Sequence, residues 1–486
     1  MHETRVADQR LMRQLNLSLV LNALRLTSPL SRAKLAHATG LNKATVSSLV
    51  EELIDTGFVS ELGPERTGRT GRPEILLELD RRAGGLIGAE IGVDFISVVI
   101  ANFAAEIIWR YFERTVPETS ETRVLNRLLE IVRQGIRETQ GQYDRILGLA
   151  LGVPGLVDVP SGTLLFAPNL HWHEVPLRSL LEAEFEFPIY VHNEANLAAL
   201  GESFFGAARD VRSLLYVSSG VGLGGGIVLD GQLVSGATGL AGEIGHMTLV
   251  LDGPQCNCGN RGCWETLVSQ EAVFQRVRAA IDSGQRSQLQ ELTHGDLTRL
   301  TIPLVVQAAK RGDHVALAAL EETAFYLGVG IANLVNALNP EAVVFGGVLS
   351  LASDFLMPTI QRVIQERALR WLARPLRLLV ATHGFDACVM GGVALVYQQV
   401  LSRPFRATRA STQNSRQALA SPQRFRDPSA PASRHVGAAS RGGGETGDEP
   451  QATATSMRGT RQTPHEITAL AVVKQDRWLN HRGGES

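Results

Sequence analysis

Two segments of the chain share one design. Residues 85–103 (GLIGAEIGVDFISVVIANF) and 214–234 (LLYVSSGVGLGGGIVLDGQLV) each read as a strand, a glycine-bearing turn and a second strand. A unit used twice at such a separation implies a duplicated fold of two lobes with a cleft between them. The short β-branched runs at 95–100, 146–151, 214–217, 227–229 and 342–345 end in glycine or polar turns and alternate with helical patterns, which sets the class as α/β. At 486 residues with 44% apolar side chains, the chain exceeds one ordinary domain and can bury more than one core.

Charge divides the chain further. Its net of −2 conceals a basic front: residues 1–50 hold seven Arg or Lys against only Glu3 and Asp8. Residues 402–486 hold 13 basic and 7 acidic groups in a Ser, Ala, Pro, Gly and Arg-rich composition that cannot bury a core, and they read as a disordered tail. The stretch between, 81–401, sums to −8. Four cysteines are too few for a disulfide framework, and MHETRVADQR lacks the apolar core of a signal peptide, so the expectation is a reducing, cytoplasmic protein. The apolar stretch 84–109 is interrupted by Glu90, Asp94 and Glu106 and is not expected to span a bilayer.

The basic front reads as a winged helix-turn-helix over residues 1–80. Leu11, Leu15, Leu19, Leu21 and Leu24 recur at helical spacing before Pro29; Ser31 caps a short second helix; Gly40 permits a tight turn into a third helix from Asn42 to Asp55. Val46, Leu49, Val50, Leu53 and Ile54 form the buried stripe of that third helix. Asn42, Lys43, Thr45, Ser47 and Ser48 are left near its start, where short polar side chains reach base edges and phosphates in a major groove. The following FVSELGPERTGRTGRPEILLELD reads as strand, basic turn, strand: a wing in which Arg66, Arg69 and Arg72 suit a narrow minor groove.

His246, Cys256, Cys258 and Cys263 lie within GHMTLVLDGPQCNCGNRGCWE, so three of the four cysteines fall within eight positions. Thiolates and imidazole are the ligands zinc prefers, and four of them close a structural tetrahedral site. A closed site leaves no position for a metal-bound water, which speaks against a zinc hydrolase. Cys388, in ACVMGG, reads as a small buried hydrophobe.

The segments LGVPGLVD, PNLHW, HNEANLAALGE, SSGVGLGGGIVLDGQLVSGATGLAGEIGHM, CNCGNRGCWE and NLVNALNPEAVVFGGV, in this order behind a winged helix-turn-helix, resemble the ROK family of bacterial sugar-responsive repressors and sugar kinases. The resemblance covers about residues 10–401 and points to the regulator branch of xylose-type and N-acetylglucosamine-type repressors. It implies an actin-like, ribonuclease H-like sugar-kinase fold over 81–401. Its lobes would span about 81–201 and 202–384, and a final helix would return to the first lobe. It also implies that a sugar lies in the cleft against Asn169, Asn193, Glu194, Glu243, His246 and Glu265. Carboxylates and amides suit vicinal diols, because each exchanges hydrogen bonds with two hydroxyls at fixed spacing. His246 would hold zinc through one ring nitrogen and face the sugar with the other. These contacts are common to readers of xylose, glucose, N-acetylglucosamine and N-acetylmannosamine.

Kinases of the family use a first phosphate turn Asp-x-Gly-x-Thr, a second turn Gly-Thr-Gly and an aspartate base. Here the first turn runs Glu90-Ile91-Gly92-Val93-Asp94, the second Gly220-Val221-Gly222, and Glu194 stands at the base position. Asp94 places negative charge beside a polyphosphate, and Val221 has a methyl in place of a hydroxyl. Glu194 is one methylene too long for a base that must sit about 2.6–3.2 Å from its proton. A misplacement of about 1 Å costs on the order of a hundredfold. The expectation is therefore a regulator that neither binds ATP nor catalyses a reaction, most simply a homodimeric repressor released from operator DNA by a sugar. An activator built from the same modules, and an ATP-dependent sugar kinase with an accessory DNA-binding domain, are the alternatives. The glycines of residues 220–226 then answer to a tight hairpin near a hinge, Gly346 and Gly347 to inherited backbone constraints, and Glu90 to a structural carboxylate.

Overall fold

The computed structural model describes residues 9–64, 74–116 and 120–402. The wing arginines Arg66, Arg69 and Arg72 lie outside the described residues, as does the expected disordered tail apart from Ser402, which ends the last helix.

At the front, helix Gln9–Thr27 precedes the pair Arg32–Thr39 and Lys43–Asp55. Ser31 caps the second helix by accepting from Lys34 N, and Gly40 closes it in the left-handed region at φ 71°, which a side chain would strain. The third helix buries Val46, Leu49, Val50 and Leu53, with Ile54 half-buried. Strands Val59–Pro64 and Ile75–Leu79 pair antiparallel, and Leu30–Ser31 adds a third strand. The first helix is where the leucine spacing places it. Leu21 and Leu24 are buried, but with Leu17 and Val20, whereas Leu11, Leu15 and Leu19 are 37%, 52% and 47% exposed. The helix carries leucines on both faces, so spacing alone does not say which face is buried.

Behind the winged helix stand two sheets of five strands with one topology. The first runs Ile189–Asn193, Ile146–Val153, Gly85–Ile91, Phe95–Ala101, Ile107–Arg114; the second runs Arg377–Val380, Ala342–Gly346, Leu214–Ser219, Leu223–Leu229, Gln232–Leu233. In each, the first strand in sequence pairs antiparallel with the second and parallel with the fourth. The duplicated strand-turn-strand units are thus the first hairpins of two equivalent lobes. The apolar stretch 84–109 supplies three strands of the first sheet. Two helical segments, His314–Leu338 and Gly384–Ser402, are long and apolar enough to cross a bilayer, yet 61% and 72% of their most apolar windows are buried inside the fold.

Two helices fill the space between the sheets. Ala387–Ser402 packs on the first sheet, and Glu194–Phe204 packs both on it and on strands Leu214–Ser219 and Leu223–Leu229 of the second. They cross at backbone distance: a Cβ on Gly391 would collide with Leu197 O, and one on Gly201 would lie 2.7 Å from Ala387 O. The terminal helix also touches the first helix of the chain, so Leu17, Leu21 and Leu24 share one core with Phe58, Phe103, Val393 and Tyr397.

Candidate effector cleft and metal centre

Asn193 ends a strand of the first sheet and caps the helix that follows. Its Oδ1 accepts from Ala195 N and Asn196 N (2.8 and 3.2 Å), and its Nδ2 donates to Gly155 O at 3.1 Å. The amide oxygen is therefore committed to the backbone, and one Nδ2 hydrogen remains for a ligand. The cap fixes the direction of Glu194, whose Oε2 is sealed from solvent with no partner. Burial first, then the charges of Glu90, Glu243 and Glu265, push the Glu194 carboxyl well above the usual range. Carboxyls from both lobes thus act on Glu194.

The second lobe brings its residues through the hairpin and the metal loop. Glu265 Oε2 accepts from Leu223 N at 2.9 Å. A Cβ on Gly222 would run into that oxygen and would stand 3.7 Å from Asn169 Nδ2, so this glycine leaves room where side chains of the two lobes approach. Asn169 sits in the turn between strands Thr163–Ala167 and Trp172–Val175. A Cβ on Gly224 would lie 3.8 Å from Glu194 Oε1. The hairpin glycines make space for these acidic and amide groups, a use the sequence did not reveal. Glu243 precedes the single turn Ile244–His246; burial, and to a lesser degree Glu265, raise its carboxyl, while His246 opposes the rise. A cavity of about 590 Å³ opens between Asp158, Val159 and Pro160 of the first lobe and residues 235–239 of the second, and none of the six residues expected to hold the sugar lines it.

His246, Cys256, Cys258 and Cys263 place one ligand atom each within 4.8 Å of all the others. Cys256 Sγ lies 3.7 Å from His246 Nδ1, and Cys258 Sγ lies 3.7 Å from Cys263 Sγ. A tetrahedral ion with metal–sulfur bonds of about 2.3 Å sets its sulfurs about 3.8 Å apart, so donor set and spacing both fit a metal. Burial first, with the charge of Glu265 adding to it, pushes the Cys256 thiol up to about 12 and raises Cys263. The other ring nitrogen of His246, Nε2, faces Glu243 Oε2 at 3.9 Å, and Cys256 Sγ lies 3.7 Å from Glu265 Oε1. Trp264, fully buried, anchors the loop by donating from Nε1 to Tyr326 O at 2.9 Å.

Beneath Glu194 lies a pair the sequence reading missed. Glu90 is buried, hydrogen-bonds Cys388, and has its carboxyl raised to about 8, chiefly by burial. Cys388 is buried as expected, but its thiol serves a polar contact. No local pattern could have revealed this, since the partners are 298 positions apart and meet only when the terminal helix docks. At the altered phosphate turns, Asp94 is taken up by Arg114 at 2.6 Å, and Val221 is exposed.

In the winged helix, Asn42 Oδ1 accepts from Thr45 N at 2.8 Å, so it caps the recognition helix. Asn42, Lys43 and Ser48 are exposed, while Thr45 and Ser47 are half-buried.

A winged helix joined to a duplicated, kinase-like pair of lobes, with converging carboxyls in place of intact phosphate turns, defines a class: transcriptional regulators whose sensor has the architecture of a sugar kinase. Residues 86–399 match the ROK family and residues 18–63 the IclR helix-turn-helix domain, and the chain belongs to the ROK family. The xylose repressor of Caldicellulosiruptor bescii is 36% identical over 399 residues, covering 82% of this chain and 99% of that protein. Among solved structures, a ROK family transcriptional regulator homologous to the Escherichia coli MLC protein superposes with a TM-score of 0.71 at 29% identity, over 81% of this chain and 97% of that one. A Streptomyces griseus ROK glucokinase, in complex with glucose and AMPPNP, gives 0.58 at 30% identity over 65% of this chain and 100% of its own. The matched repressor and regulator span both domains, whereas the matched kinase covers a share equal to the sensor. The chain is a sugar-responsive transcriptional repressor.

Proposed function

We propose that the protein is a cytoplasmic, homodimeric repressor that releases its operator when D-xylose enters the interlobe cleft, with a structural zinc held by His246, Cys256, Cys258 and Cys263. The observation that carries this reading is His246 itself: one ring nitrogen faces the cysteine cluster and the other faces Glu243 of the carboxyl group. Asn169, Asn193, Glu194, Glu243, His246 and Glu265 would receive the sugar hydroxyls. Zinc would fix the loop carrying His246 and Glu265. Asn42, Lys43, Thr45, Ser47 and Ser48, with Arg69 and Arg72 of the wing, would contact DNA. The choice of xylose is supported by full-length relatives named xylose repressors. Mechanistically, a sugar that favours a closed cleft moves the two recognition helices of a dimer off their half-site spacing, and operator affinity falls.

The test is operator affinity by fluorescence anisotropy, on DNA selected from random duplexes, with D-xylose, D-glucose and N-acetylglucosamine in turn. Xylose lowers affinity. Affinity unchanged by every sugar sinks the sugar reading, and turnover with ATP and magnesium at the rate of an ordinary kinase overturns the non-enzymatic one. Thermal shift gives an independent measure, since a ligand at 100 times its Kd adds about 2.7 kcal/mol. Elemental analysis should find one zinc per chain. Cys258→Ser or chelation should lower sugar affinity tenfold or more while leaving sugar-free operator binding within a few-fold. Light scattering should give the mass of a dimer.

A further inference from the structure

The helix Glu194–Phe204 begins in the carboxyl cluster and ends against the winged helix. Eleven residues make it about 16 Å long. Its crossing with the terminal helix leaves no room for a single Cβ at Gly391, so the two helices are packed at backbone distance. At its far end the guanidinium of Arg25, from the last turn of the first helix, stands 4.8 Å over the ring of Phe204. Arg25 Nε is sealed from solvent and makes no hydrogen bond. The first helix packs on the terminal helix as well, so Arg25 stands where three helices meet; burial lowers the pKa of its guanidinium, and Tyr397 of the terminal helix counteracts this. From there a row of rings continues: Phe205 to Tyr397 at 6.4 Å, Tyr397 to Phe103 at 5.0 Å, and Phe103 to Phe58, just before the wing, at 5.2 Å. Arg145 covers Phe58 at 5.0 Å and donates to Thr56 O at 3.2 Å, at the end of the recognition helix.

We propose that Arg25, seated on Phe204 beside Tyr397, is the positioning residue through which the state of the cleft is passed to the DNA-binding surface. The inference rests on the sugar-responsive reading above. A guanidinium over an aromatic face is held by charge and ring quadrupole together, so it follows the ring when the helix shifts. Its unbonded Nε is a buried donor without a partner, so an arrangement that supplies one competes with this seat. Coupling is reciprocal: DNA on the winged helix must be felt at residues 194–204 as much as sugar is felt at the operator.

Arg25→Met keeps the apolar stem and removes the charge, and Arg25→Lys restores a cation over the ring. In the wild type, operator affinity measured without and with D-xylose should differ by a factor of about 5–150. In Arg25→Met that factor falls below about two, with sugar-free operator affinity and xylose affinity each within a few-fold of wild type, and Arg25→Lys recovers most of it. Amide hydrogen exchange across 194–204, followed on adding operator DNA with no sugar, changes in the wild type and not in Arg25→Met. An unchanged factor in Arg25→Met, or a DNA-induced exchange response that survives in it, overturns the proposal. A wild type deaf to every sugar, whose DNA-induced response is nonetheless lost in Arg25→Met, overturns the sugar reading and leaves this joint standing. If Arg25→Met fails to fold by circular dichroism, Phe204→Leu carries the same test.

Discussion

Glu90 shows what one misplaced proton costs. Between the ordinary carboxyl value and about 8 the folded chain keeps a proton on Glu90 that the unfolded chain has released, so stability falls as pH rises through that window. Glu90→Gln removes the term. Its thermal midpoint should exceed that of the wild type at pH 8, with a gain on the order of a few kcal/mol, and the gap should close towards pH 5. A wild type and variant that change in parallel from pH 5 to 8 would show that the carboxyl is not held neutral by burial. The cluster of His246, Cys256, Cys258 and Cys263 was legible in the sequence because all four lie close together in the chain. The Glu90–Cys388 pair was not, because its members come from opposite ends of the sensor. Glu194, Glu243 and Glu265 were found through resemblance; their mutual approach across the lobes, which raises the Glu194 carboxyl, belongs to the tertiary structure alone.

The recognition helix separates two jobs that its sequence ran together. Asn42 was read as a DNA contact, and its Oδ1 is a helix cap. Asn42→Ala should therefore lower thermodynamic stability by about 1 kcal/mol in urea unfolding. Lys43→Gln should leave stability within about 0.5 kcal/mol and instead reduce the slope of log affinity against log salt by about one, equally on all DNA sequences. An Asn42→Ala chain as stable as wild type would remove the capping role. The helix-turn-helix itself was legible from Ser31, Gly40 and the stripe at Val46, Leu49, Val50 and Leu53, since caps and turns are local chemistry. The buried face of the first helix was not, because Leu17 and Val20 are chosen over Leu11 and Leu15 by what docks there.

Across the whole molecule, two copies of one sheet topology are joined through a pair of helices at backbone distance. Gly391→Ala is the sharpest probe of that layer. Its Cβ meets the carbonyl of Leu197, a backbone atom that cannot rotate away, so the substitution should cost about 1–3 kcal/mol by urea unfolding and weaken sugar binding along with it. Full stability in Gly391→Ala would mean that the helices are free to separate. The duplication could be read from two strand-turn-strand segments, because each is a local hairpin. Gly391 and Gly201 gave no such signal, since a glycine chosen for close approach looks in sequence like one chosen for a turn.

The terminal helix has a further consequence, in the order of synthesis. Residues 387–402 complete the core shared by Leu17, Leu21, Phe58 and Phe103, so the winged helix waits for a helix that is synthesised long after it. A half-made chain exposes a winged helix whose supporting face is bare, and it gains a firm seat only once the sensor behind it is finished. The fold thereby ties the right to occupy DNA to possession of the means to let go.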